Sequence, residues 1–153
     1  MEEKELSREA IEKLITEFMN MQGTCVLATC SDNNPRASTV EFFPLGTTIY
    51  ILTEGGWKLE NIKKNPNVAI AISAPFAGWE HLKGLQVTGI AEIGGKSSQI
   101  FQEATEAYRT RRRQENAHLP DFMKVIKIIP KKMDYIDASL PAKGFRMKQV
   151  IIY

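Results

Sequence analysis

Several residue types are scarce in this 153-residue chain, and each shortage removes a class of function. It has only two cysteines and two histidines. Two cysteines do not make a disulfide framework. Cys25 and Cys30 fall five apart on one expected strand, so they should face opposite sides as unpaired thiols. His81 and His118 form no metal-ligand spacing. No apolar run is long enough to span a bilayer. The opening MEEKELSREA is acidic and has no signal-peptide apolar core, so the cytoplasm is the expected location. There is no GxxxxGK[ST] phosphate loop, no Ser/His/Asp triad and no catalytic pair of acids. Internal repeats, low-complexity tracts and linkers are absent as well.

What is present describes a globular chain. Hydrophobic residues make up 43%, and the length suits a single domain spanning 1–153 with a core of its own. The net charge of +2 is unevenly spread. Residues 1–108 carry nine Lys/Arg against 14 Asp/Glu, and residues 109–153 carry 11 against four. The C-terminal part can therefore face an anion. Nucleic acid is not the expected partner. The run Arg109–Arg113 closes an expected helix, where cations suit the dipole and can stay solvated. Neither interleaved aromatics nor zinc-finger spacing accompanies it.

The hydrophobic period divides the chain into mostly strands. Ile11, Leu14, Ile15 and Phe18 recur at helical spacing behind Ser7, a suitable N-cap, and Gly23 is expected to end that helix. Strands are expected at TCVLATC, RASTVEFFP, TTIYILT, NVAIAIS, GLQVTGIAEIGG, MKVIKII and KKMDYIDAS, with a further one at FRMKQVIIY. A short helix is expected over Leu59–Lys64, since Pro66 disfavours helix before it. A long one carries Ile100, Phe101, Ala104, Ala107 and Tyr108 on its inner face. Strands and helices do not alternate, which argues against a doubly wound parallel sheet. Many short strands with short connections suggest an antiparallel barrel.

One stretch, TEGGWKLENIKKNP, joins a strand to the short helix in an unusual way. The first amides of a helix lack intrahelical partners and carry the positive end of its dipole. Gly55 and Gly56 would let the backbone wrap an anion, while Thr53 offers a hydroxyl and Lys58 a full charge. That combination suits a phosphate. A solvated turn with a surface lysine accounts for the same residues about as well. On the preceding strand, alternation puts Arg36, Ser38, Val40 and Phe42 on one face and Ala37, Thr39, Glu41 and Phe43 on the other. Arg36 and Ser38, with apolar residues following, would suit a ligand with a phosphate end and a flat apolar end. Equally, Arg36 could simply reach to water from a barrel strand.

These pieces occur in a specific order. A Pro-led second strand is followed by a Gly turn and a strand ending in Thr. A Lys then opens a helix that runs into NPNVAI, and the strand LQVTGIAEI follows. Over roughly Gly23–Ile93 this resembles the pyridoxamine 5′-phosphate oxidase-related, FMN-binding split-barrel family, with a looser match through IKIIPKKMDYID. The resemblance implies a mainly β fold with flanking helices, an antiparallel six-stranded split β-barrel. It also implies a homodimer with FMN near the interface. By position, Arg36, Ser38, Thr53 and Lys58 would meet the phosphate, along with Gly55 and Gly56. Backbone groups near Thr39 and Val40 would meet the flavin ring, Gln86 could reach the cofactor, and Trp57 lies beside the phosphate loop. The implied activity is that of a flavin-dependent oxidoreductase on a small molecule. A noncatalytic FMN carrier, or a relative that binds deazaflavin or haem, is the alternative. The resemblance fails at the C-terminus. The family's oxidase carries an Arg-x-His substrate motif there, whereas this chain ends AKGFRMKQVIIY, with no histidine after His118. Oxidation of pyridoxamine phosphate is therefore not expected.

Overall fold

A computed structural model describes residues 4–153. Three helices flank one antiparallel sheet. Helix α1 is Arg8–Met21, α2 is Trp57–Lys64 and α3 is Gln99–Arg112. The strands are β1 Thr24–Ser31, β2 Asn34–Glu41, β3 Phe43–Leu45, β4 Thr48–Thr53, β5 Asn67–Ser73, β6 Lys83–Gly94, β7 Lys124–Asp137 and β8 Lys148–Ile152. Their order in the sheet is β2-β1-β5-β6-β7-β4-β3, with β8 added on β7.

The two ends of that order are one stretch of chain. β2 pairs with β1, and after Phe42 the same segment continues as β3 and pairs with β4. The sheet therefore curls back on itself as a split barrel of six staves, β2 and β3 together forming one. Residues 36–44, expected as a single strand, break at Phe42 because the chain changes neighbour there. The opposite correction applies to MKVIKII and KKMDYIDAS, which are one strand, β7. Pro130 cannot donate to a ladder, but the register against β6 shifts between Thr88 and Gly89, and Gly89 faces Pro130. A bulge absorbs the missing donor, so the strand continues.

Alternation fills the barrel. Leu27, Ile49, Ile51, Ile70, Ile72, Leu85, Ile126 and Ile128 are buried in one cluster with α1's Ile11, Ile15, Phe18 and Met19. Each fully buried side chain of this kind contributes about 1.5–3 kcal/mol. Ser7 caps α1 as expected, accepting from the Ala10 amide at 3.2 Å. The helix ends at Met21, with Gln22 extended, so it stops before Gly23 rather than on it. A second, smaller cluster packs Phe101, Ala104 and Ala107 of α3 on Phe43, Tyr50 and Val125. Polar contacts pin the same helix. The Lys127 ammonium at 2.9 Å and the Tyr50 hydroxyl at 2.8 Å hold the Glu103 carboxyl below its ordinary range.

The arginine run is not simply solvated. Arg111 turns inward, stacks on Phe42 and donates to the carbonyls of Phe42, Met19 and Gln22. It thereby satisfies the open carbonyl end of α1 and holds the β2–β3 crossing in place. Cys25 points into the core, where burial pushes its thiol up to about 12. Cys30 is half-buried and likewise unpaired.

Candidate functional site

The site is built around the start of α2. β4 ends at Thr53, whose side chain shares the inward face with Ile49 and Ile51 and is buried. Its hydroxyl donates to the Gly55 carbonyl at 3.0 Å and accepts from the Gly55 amide at 3.2 Å. Thr53 thus shapes the loop, and its hydroxyl is not held out as a donor to a ligand. Gly55 and Gly56 sit at φ of 149° and 104°, which L side chains rarely adopt. Gly56 stands at the N-cap position, and no side chain caps the helix. The amides of Leu59 and Glu60 turn back to the Gly56 carbonyl, at 3.2 and 3.3 Å. The helix start is therefore a pair of glycines followed by uncapped amides, flanked by Trp57 and Lys58.

Polar side chains fix where this helix start lies. Asn61, buried among Leu59 and Ile62, donates to Thr29 Oγ1 at 3.0 Å and accepts from Ser31 Oγ at 2.7 Å. Asn65 donates to the Cys30 carbonyl at 2.9 Å. These three contacts of α2 and its C-cap with β1 were missed in the sequence. The available signal was Asn61 itself, an amide set between Leu59 and Ile62, the buried apolar residues of a short helix.

β2 is exposed along almost its whole length. Register against β1 places Arg36 opposite Thr29 and Ser38 opposite Leu27, so Arg36, Ser38 and Val40 share the face that Thr53 also uses. Among the described residues neither Arg36 nor Lys58 forms an ion pair. Arg36 and Trp57 line one cleft of about 460 Å³ between the β1–β2 hairpin and α2. Arg36 also lines a second, shallower groove of about 540 Å³, walled by Ala28, Pro35, Ala37 and Ala69.

Two further candidate residues present their side chains on the opposite face. Thr39 and Gln86 lie on the sheet's outer face, in the row Thr39–Val26–Ala71–Gln86–Asp134–Val150. Three strand spacings of about 4.8 Å separate Gln86 from Thr39, roughly 14 Å. The structure brings Arg36 to Trp57 and leaves Gln86 distant from both. The aromatic pair Phe76 and Trp79 lies at the far end of β5 from α2, with ring centroids 5.4 Å apart, and both are exposed. His81 and His118 are exposed as well.

Comparison with known proteins places this geometry. The family model described as pyridoxamine 5′-phosphate oxidase matches residues 11–137. Among curated proteins, no sequence matches the chain. The solved structure of ChuZ from Campylobacter jejuni is similar, with a TM-score of 0.71 and 21% identity, covering 97% of this chain and 61% of that one. An FAD-binding protein from Mesorhizobium loti gives a TM-score of 0.61 at 15% identity, covering 79% and 88%. A heme-binding protein from Mycobacterium smegmatis gives 0.64 at 18% identity, covering 89% and 57%. At these identities the likeness is one of fold. Among the described residues no helix is long and apolar enough to cross a membrane.

Proposed function

We propose that this chain, which belongs to the pyridoxamine 5′-phosphate oxidase family, binds an FMN unit by its phosphate at the start of α2 and works as an oxidoreductase on a small molecule. The open end of α2 carries this reading. Two glycines at positive φ, uncapped first-turn amides and Lys58 stand at this helix start, Arg36 of β2 lines a cleft with Trp57 of the same turn, and neither cation has an ion pair among the described residues. Amides and dipole together favour an anion, and Lys58 and Arg36 add full charge. The alanine-walled groove on the other side of Arg36 suits a flat apolar ring. A bound flavin would supply the electron chemistry, and the protein's part is to hold and orient it. In this assignment Lys58, Arg36, Ser38 and the amides after Gly55 meet the phosphate, while Thr53 keeps the loop in shape.

The test is a pair of titrations. A charge-assisted hydrogen bond is worth roughly 1.5–3 kcal/mol net, so Lys58→Ala or Arg36→Ala should weaken FMN roughly tenfold to a hundredfold. Riboflavin has the same ring without the phosphate and should bind both variants as it binds wild type. Equal losses for the two ligands would overturn the phosphate assignment. The absorption spectrum of the purified protein separates flavin from haem, and turnover of a reductant separates an enzyme from a carrier.

The same reading includes a second copy of the chain. The outer face of β2, β1 and β5 carries Ala37, Thr39, Val26, Ala28, Ala69 and Ala71, small and uncharged, with Val26 37% exposed. Gln86 continues that face. Two such faces can meet about a twofold axis with the alanine-walled groove and its ring enclosed between them, and Gln86 then faces the ligand of its partner. Light scattering should give twice the 17.3 kDa chain mass. A monomer at micromolar concentration with saturating FMN contradicts this.

A further inference from the structure

We infer that the free edge of β8, with the groove beside it, is a docking site for an extended acidic segment of a partner protein, which adds to the sheet as a further strand. No residue of the proposed flavin site lines this groove, so the inference stands apart from that reading. Among the described residues β8 pairs with β7 alone. In an antiparallel ladder alternate residues bond to the neighbour, and those between point the other way. Two flanking bonds fix which is which. The Asp137 amide donates to the Met147 carbonyl at 3.0 Å, and the Tyr153 amide to the Lys131 carbonyl at 2.9 Å. The odd-numbered residues of β8 therefore bond to β7, and the backbone groups of Lys148, Val150 and Ile152 face away from it.

The chain begins to cover this edge and then leaves it. Lys4 forms a parallel bridge with Phe145, and the Leu6 amide donates to Gln149 Oε1 at 3.0 Å. From the Ser7 cap onward the chain turns into α1. Past that point Arg8 Nη1 donates to the Ile152 carbonyl at 3.0 Å. Among the described residues, the outward backbone groups of Lys148 and Val150 have no partner. What remains is a groove of about 730 Å³ with β8 along one side and Leu6 and Ile11 along the other. Val150 and Ile152 are 41% and 69% exposed on the strand itself. An added strand satisfies the open donors and acceptors and covers these side chains.

Charge selects the occupant. Three cations, Arg8, Arg146 and Lys148, line the groove against one carboxylate, Glu5. Arg8 pairs with Glu12 and Arg146 with Glu5, yet both guanidinium side chains stay more than half exposed. Exposed pairs of this kind are weakly held. Lys148 shares Asp134 with Lys132, so that carboxylate does not neutralise both. The rim can therefore take further carboxylates. A second copy of the chain would instead bring the same cations together, edge against edge. Charge of one sign guards the edge against its own kind and leaves it open to a strand of the opposite sign.

Fluorescence anisotropy with a labelled peptide of alternating glutamate and valine, blocked at both ends, tests this. The peptide should bind saturably, and its lysine–valine counterpart about tenfold more weakly or worse. The same acidic peptide with its backbone nitrogens methylated cannot donate to the edge and should not bind. Val150→Pro deletes a donor that β7 does not use, so it should keep the wild-type circular dichroism and Tm and weaken the acidic peptide roughly fivefold to tenfold. Absence of saturable binding overturns the inference, as does equal binding of the lysine–valine peptide. Equal binding of the methylated peptide overturns it too, and this comparison needs only wild type, so it decides the matter even where Val150→Pro does not fold. Self-association beyond a dimer that Val150→Pro abolishes makes a second copy the occupant and likewise overturns it.

Discussion

β4 passes to α2 through Gly55 and Gly56 with Lys58 close behind, and β6 passes to α3 through Gly94 and Gly95 with Lys96 next. Both connections place two glycines and a nearby lysine at the junction of a strand and a helix, yet the second is closed where the first is open. Ser98 caps α3, accepting from the Phe101 amide at 3.2 Å and donating to the Gly95 carbonyl at 2.7 Å. Lys96 is ion-paired to Asp121 at 2.7 Å. Neither Gly94 nor Gly95 has positive φ. At α2 no side chain caps the helix, both glycines have positive φ, and Lys58 has no ion pair among the described residues. A helix start whose donors and cation are all engaged supports the fold. One left open keeps its donors for something else.

The largest effect that would sharpen this contrast is on FMN. Lys58→Ala should cost roughly tenfold to a hundredfold in affinity, whereas Lys96→Ala should leave FMN binding unchanged. A comparable loss in Lys96→Ala would break the distinction between the loops. Next is the packing role of the closed loop. A Cβ at Gly94 would lie 2.4 Å from Ser98 Oγ and 2.8 Å from Ile100 Cβ, so this glycine is required by space. Gly94→Ala should destabilise the fold by about 1–3 kcal/mol in denaturant titrations. Wild-type stability in that variant would show that the α3 start can shift freely. The smallest effect is Ser98→Ala, which removes the cap. It should cost about 1 kcal/mol and lower Tm by about 2–4 °C, with FMN affinity preserved. A change in FMN affinity there would mean that the two loops are coupled.

Much of the barrel was legible because its signals are local. Period-two alternation located the strands, and the spacing of Phe101, Ala104 and Ala107 located α3's inner face. The errors arose where a partner decided the outcome. Pro130 reads as a break, but a bulge at Lys131 in β7 itself carries it. RASTVEFFP reads as one strand, but it changes neighbours at Phe42. Arg111 reads as a solvated helix end, and three carbonyls from α1 and the β2–β3 crossing turned it inward.

The candidate site divides in the same way. Sequence alone determined which residues could meet a phosphate, since glycines, a lysine and a helix start in that order are a property of neighbours along the chain. It equally determined that Arg36 and Ser38 share a face. Tertiary structure alone decided which glycine loop stayed open. Lys96 is neutralised by Asp121, 25 residues away, and Lys58 meets no such carboxylate among the described residues. It also decided that the Thr53 hydroxyl is used within its own loop and that Gln86 lies across the sheet from Arg36. The reason is physical. Conformational preference and alternation act over a few residues, whereas charge pairing, capping and access depend on which distant groups the closed barrel brings within a few ångströms.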